Sequence, residues 1–152
     1  MSDPIDLNEI SGCTCLRARR AARQLSRLYD SALEPAGVTV NQLGVLAKLL
    51  GATLRSPNGI SVGALAERIG MHPSTLNRDL KPLKKRGFVG DARDPNDRRA
   101  RAVFITKKGQ SKVREAMPAW RRAQAQVQET LGHEVVLSLN ALLDVAYAKV
   151  AL

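Results

Sequence analysis

Residues 61–87, SVGALAERIGMHPSTLNRDLKPLKKRG, carry two helical apolar patterns with almost no chain between them. Ser61 can cap the first, in which Val62, Leu65, Ala66 and Ile69 fall at i, i+3, i+4 and i+7. Gly70 stops it, and Pro73 suits the first turn of a second helix whose Leu76, Leu80 and Leu83 mark a buried stripe. Gly87 supplies the next left-handed stop. Two short helices joined by a tight glycine-containing turn are the pattern of a helix-turn-helix. Pro82 interrupts the second pattern, since a mid-helix proline removes one backbone bond. It follows the polar face of Ser74, Thr75, Asn77, Arg78 and Lys81, so a kink there leaves the first two turns intact.

After Gly87, FVGDA and RAVFIT are strand-like and flank Asp94-Pro95-Asn96-Asp97. Asp first and Pro second is what a type I turn prefers, so the arms are expected to form a hairpin. Its tip is basic: residues 92–109 hold four arginines and two lysines. A helix-turn-helix followed by such a hairpin is a winged helix. The flanks read as helices. Leu7, Ile10, Leu16, Leu25, Leu28 and Leu33 recur between residues 5 and 34, ended by Pro35-Ala36-Gly37. Thr39 can cap the next helix, with Leu43, Leu46, Leu49 and Leu50 on one face, and Ser56–Gly59 is turn chemistry. Helix returns at Lys107, with interruptions expected at Pro118 and Gly132. It ends in an apolar stripe of Leu139, Leu142, Leu143, Ala146, Tyr147 and Val150. The fold class expected is mainly α with a small β-hairpin wing.

Charge narrows the partner. The chain carries a net +10, and residues 68–108 alone carry twelve Lys/Arg against four Asp. A basic excess concentrated in this way suits a polyanion, nucleic acid before membrane. For duplex DNA the first turns of the second helix can enter the major groove. There Ser74, Thr75, Asn77 and Arg78 reach base edges or phosphates, and Lys81, Lys84 and Lys85 suit phosphates. Beside it the wing can reach the minor groove, where Arg98 or Arg99 is expected to insert, with Arg101 behind them. Asp94 or Asp97 is expected to steer one of those arginines.

SVGALAERIGMHPSTLNRDLKPLKKRGFV followed by DPNDRRARAVFITKKG resembles the MarR family of bacterial transcription regulators, whose signature is the Asp-Pro-x-Asp-Arg-Arg wing, an apolar strand and Thr-x-x-Gly. The resemblance covers nearly the whole chain and implies one MarR-type domain over residues 1–152. It places a winged helix-turn-helix at 39–106, with a recognition helix at about 73–86 and a wing at about 88–106. Residues 5–35 and 108–151 would form a helical dimerisation region. It further implies a homodimer on a double-stranded DNA inverted repeat, usually a repressor released by a small-molecule effector. Two-fold symmetry favours the dimer on its own account, because one winged helix contacts few base pairs.

Two switches are compatible with the chain. Cys15 falls where the family's organic-hydroperoxide regulators keep a reactive cysteine, and Tyr29 stands fourteen residues later, as one of their tyrosines does. Arg19 and Val40 replace the other tyrosines that hold and activate the thiolate in those regulators, and simple packing of Cys13 and Cys15 is the reading favoured over a thiol switch. In the other switch, Arg17 or Arg20 meets the carboxylate of an effector. Enzyme chemistry finds no support, because no Ser-His-Asp or Cys-His grouping and no Gly-rich phosphate loop stands out. Two cysteines and two distant histidines suggest no metal, and no cofactor is expected. The start MSDPIDLNEI lacks a signal's basic and apolar segments, so a cytoplasmic protein without membrane contact is expected. Charge-only binding of nucleic acid is a further alternative.

Overall fold

The computed structural model describes residues 5–94, 97 and 99–150. In chain order the elements are α1 (Leu7–Ser11), α2 (Thr14–Leu33), a 3-10 turn (Glu34–Ala36), α3 (Val40–Arg55), β1 (Ile60–Ser61), α4 (Val62–Ile69), α5 (Pro73–Lys85), β2 (Val89–Arg93), β3 (Arg101–Ile105), α6 (Lys107–Leu131) and α7 (His133–Lys149). The strands form one antiparallel sheet in the order β1-β3-β2, with Ile60 opposite Val103 and Val89 opposite Ile105. Mainly helical architecture with a hairpin wing is therefore what the chain adopts.

Local chemistry explains the boundaries. Thr39 and Gln42 form a reciprocal capping box at the start of α3, each side chain bonding the other's backbone N–H at 3.1 Å. Asp30 of α2 accepts the Val40 N–H at 2.7 Å, fixing α2 against the same helix end. Ser61 caps α4, and Gly70 ends it at φ +74, where any side chain would be strained. A Cβ on Gly70 would also lie 2.7 Å from the Tyr147 ring, so α7 reaches the turn of the helix-turn-helix. Leu33, Leu46, Leu49, Leu65, Leu76, Leu80, Leu83 and Val103 are fully buried and join α2 to α5 and the sheet in one core. Each such side chain contributes about 1.5–3 kcal/mol by leaving water.

Three sequence expectations need correction. The first helical segment is two helices, because the chain turns at Gly12 and Cys13 takes an extended conformation as the N-cap of α2. Pro118 does not interrupt α6, which runs on to Leu131. Its ring is exposed, while Val113, Ala116, Ala119 and Ala123 bury the opposite face and hold the helix across the missing bond. Pro82 likewise leaves α5 continuous to Lys85. Strand β1 has no counterpart among the strands expected from the sequence.

Helix α7 is the exception to core packing. Val136 is its one buried residue among the described ones, whereas Leu142, Leu143, Val145, Tyr147 and Val150 are exposed, as are Ile5, Leu7, Ile10 and Leu16 near the other end of the chain. No single helix among the described residues is long and apolar enough to cross a membrane.

Candidate nucleic-acid interface

The recognition helix is held from three sides. Its stripe Leu76, Leu80 and Leu83 is sealed in the core. Asn41 at the start of α3 donates to the Asp79 carboxylate at 3.1 Å. On the wing side, the Lys84 ammonium lies 2.6 Å from the Asp91 carboxylate of β2. That pair is partly exposed and contributes only about 0.2–1 kcal/mol, so its importance is alignment of helix and wing.

This clamping leaves the other face of α5 open. Ser74, Asn77, Arg78 and Lys81 are exposed and Thr75 is half-buried at its edge. His72 is the N-cap: its Nδ1 accepts the Ser74 N–H at 3.2 Å and lies 2.7 Å from the Ser74 hydroxyl. The cap fixes the first turn, and with it the direction in which Ser74 and Thr75 are offered.

Asn77, Lys81 and Arg101 meet in space. Together with Lys84, Ala100 and residues Ser61, Val62 and Gly63 at the start of α4, they line a cavity of about 540 Å³ between the two helices and the wing. The N-terminus of α4 carries the positive end of the helix dipole, which adds to the basic character of this pocket. Lys84 was expected at a phosphate, whereas Ser61, Val62 and Gly63 were not among the site residues expected. A helix N-cap at Ser61 followed by Gly63 was their only sequence signal.

At the wing tip, the Asp97 carboxylate accepts the Arg99 backbone N–H at 2.9 Å. The Asp97 carbonyl accepts from the Ala100 N–H at 3.0 Å, and the Asp94 N–H donates to the Ala100 carbonyl at 3.2 Å. Asp97 thus shapes the tip through the backbone, and Arg99 and Arg101 are exposed. Arg98, with Pro95 and Asn96 of the expected turn, lies outside the described residues.

The expected switch residues are dispersed. Cys13 and Cys15 are both free thiols, Cys13 half-buried and Cys15 exposed, at the break between α1 and α2. Tyr29 is on the same helix as Cys15, about 21 Å further along it at 1.5 Å per residue, so the two cannot meet within one chain. The Tyr29 hydroxyl instead bonds Gln124 of α6, and burial raises its pKa above the ordinary phenol value. Arg17 and Arg20 are exposed on α2 with no ion pair among the described residues.

Comparison with known proteins agrees with this geometry. The MarR family model matches residues 36–100, which span the helix-turn-helix and most of the wing. The chain is 34% identical to the Mycobacterium tuberculosis transcriptional regulator MosR, solved in complex with DNA, over 91% of this chain and 99% of that one, with a TM-score of 0.74. The fold is also that of a mutant Escherichia coli MarR on operator DNA, at 22% identity, a TM-score of 0.75 and coverage of 92% and 97% of the two chains. Among curated proteins it is 32% identical over 101 residues to the transcriptional activatory protein BadR of Rhodopseudomonas palustris, matching 66% of this chain and 57% of BadR. The chain spans about half the length of the curated relatives it matches. With helix-turn-helix, wing and flanking helices all shared, this chain belongs to the MarR family of transcriptional regulators.

Proposed function

We propose that the protein is a homodimeric, sequence-specific DNA-binding regulator that reads an inverted repeat with α5 and the wing. The observation that carries this reading is the convergence of Asn77, Lys81, Lys84 and Arg101 with the α4 N-terminus beside an exposed Ser74–Arg78 face. In the roles expected, Ser74, Thr75, Asn77 and Arg78 reach base edges or phosphates, Lys81, Lys84 and Lys85 hold phosphates, and Arg101 adds a DNA contact from the wing. Arg98 or Arg99 enters the minor groove, with Asp94 or Asp97 pairing with the other arginine. Residues 5–35 and 108–151 are the dimerisation region, supported by the exposed apolar side chains of α1 and α7. The protein acts in the cytoplasm as a binding protein, without enzyme activity, cofactor or membrane contact.

Competition against random duplex is the direct test. The operator should be preferred by about a thousandfold or more, whereas equal binding would mean attraction by charge alone. Arg78→Ala should cost about 1–3 kcal/mol, roughly 5–150-fold in operator affinity, and relax the preference at one base pair. Arg99→Ala should weaken all duplexes alike and lower the salt slope by about 1, as loss of one phosphate or groove contact requires.

Repression released by a small effector is the regulatory reading, supported by the family resemblance. The seat proposed for that effector is the apolar cavity of about 300 Å³ between α3 and α6, lined by Val40, Leu43, Gly44, Ala47, Met117 and Trp120. Its size is at the lower end for ligand pockets. Arg17 and Arg20 remain candidates for an effector carboxylate. A thiol switch at Cys13 and Cys15 is the second reading, favoured by the position of both free thiols at a helix break. Cys13→Ser/Cys15→Ser protein should then keep DNA binding under oxidant that releases the wild type. Equal release of both proteins removes that reading.

A further inference from the structure

The root of the wing holds a second basic cavity, of about 440 Å³, lined by Arg86, Phe88, Lys108, Ser111, Lys112 and Glu115. It joins the residue after α5, the residue before β2 and the first two turns of α6. Phe88 is only 3% exposed, yet three cations surround its ring: Arg86 at 4.6 Å from the centroid, Lys108 at 5.6 Å and Lys112 at 5.9 Å. The ring quadrupole attracts each of them, but their mutual repulsion works against the grouping.

Only one carboxylate answers them. Glu115 pairs with Lys112 at 2.7 Å, which leaves the lining with a net +2. Lys112 also donates to the Ala36 carbonyl at 3.1 Å, and Arg86 Nη1 donates to the Gly37 carbonyl at 2.7 Å. Arg86 keeps further N–H donors. The Lys108 ammonium and the Ser111 hydroxyl have no hydrogen bond among the described residues.

These charges stand apart from the DNA-reading groups. Arg86 lies eight residues beyond Arg78, about 12 Å along the helix direction. Phe88 is at the opposite end of β2 from the wing tip, about 16 Å from it at 3.3 Å per residue. Neither element brings this cavity to the base edges it would read.

We propose that this cavity binds a compact dianion, a phosphate or dicarboxylate, through Arg86, Lys108 and Lys112, with the Ser111 hydroxyl as a fourth donor. Two negative charges match the net +2, and charge-assisted bonds to clustered cations are the strong kind. Arg86 also holds the Gly37 carbonyl of the turn between α2 and α3, and Lys112 holds the Ala36 carbonyl, so the anion competes for the Arg86 side chain that ties the end of α5 to the helical frame. Occupancy therefore shifts the recognition helix; this coupling rests on the DNA-binding reading, while the anion site does not.

The test is a titration of the full chain with inorganic phosphate at pH 8 and constant ionic strength, followed by amide NMR without DNA. Saturable shifts are expected at Lys108, Ser111 and Lys112, weakened about tenfold or more in Lys108→Ala, the loss of one charge-assisted bond. Lys108 is exposed, so that variant should keep the wild-type thermal midpoint. A parallel succinate titration shows whether phosphate or dicarboxylate is preferred. Shifts that stay linear, that saturate equally in Lys108→Ala, or that occur only around Lys81 and Arg101 overturn the site. Operator affinity that falls with phosphate in wild type but not in Lys108→Ala supports the coupling, and an equal fall in both overturns it. Saturation by phosphate in a protein that prefers no DNA sequence would leave the site standing and remove the DNA reading.

Discussion

Leu142→Asp combined with Leu143→Asp should turn the protein into a monomer that no longer holds its operator. Both side chains are exposed in the single chain, 67% and 48%, so replacing them removes little of its own core. In the proposed dimer each leucine would leave water, a contribution of about 1.5–3 kcal/mol per side chain, and an aspartate there would be buried without a partner. Four such positions across a two-fold interface exceed what a reversible dimer can lose. A monomer reaches one half-site, so affinity should fall by about a thousandfold or more, toward the non-specific level. Sedimentation and operator binding measured on one sample check this. A variant that stays dimeric, or a monomer with full operator affinity, would show that α7 does not form the interface.

Gly109→Ala should be strongly destabilising, because a Cβ there makes the closest contact of any described glycine. Thr106 is the N-cap of α6: its hydroxyl accepts the Gly109 N–H at 3.0 Å and donates to the Gly87 carbonyl at 2.6 Å. That arrangement brings Gly109 against the chain at the root of the wing. A Cβ there would collide with the Phe88 carbonyl oxygen and lie 2.7 Å from Ile105 Cγ1. That carbonyl also accepts the Thr106 N–H at 3.0 Å, so it cannot step aside as a flexible side chain does. The cost of overpacking is about 1–3 kcal/mol, occasionally more, and this site belongs at the upper end. In a chain of this length that lowers the thermal midpoint by about 6–12 °C. An unchanged midpoint would mean that α6 and the wing can separate freely.

The Thr-x-x-Gly spacing thus acquires a physical reason, a cap and a close approach, that the sequence shows only as a motif. Much of the winged helix was legible in the same terms. Ser61, Gly70, Pro73 and Gly87 sit at the boundaries their capping chemistry implies, and Leu76, Leu80 and Leu83 are completely buried. What was not legible depends on distant partners. Strand β1 is two residues long, too short for any periodicity, and exists through its pairing with β3. Pro118 is tolerated because alanines on the buried face of α6 outweigh one missing bond. The Asp97 carboxylate accepts the Arg99 backbone N–H, a contact that no residue pattern distinguishes. Arg101 of β3 and the start of α4 come from stretches separate from α5, and only the fold brings them to one cavity with Asn77, Lys81 and Lys84.

The site and the exposed apolar helices converge on one claim: two copies of this winged helix read two copies of one short sequence. Selection of bound duplexes from a randomised pool tests it with no operator specified in advance. The expected product is an inverted repeat with half-sites one helical turn apart, about 10 base pairs centre to centre, or a multiple of that spacing. Scrambling one half should cost about a thousandfold or more in affinity. Enrichment of no common sequence, or of a single half-site bound as tightly as the full repeat, would contradict it.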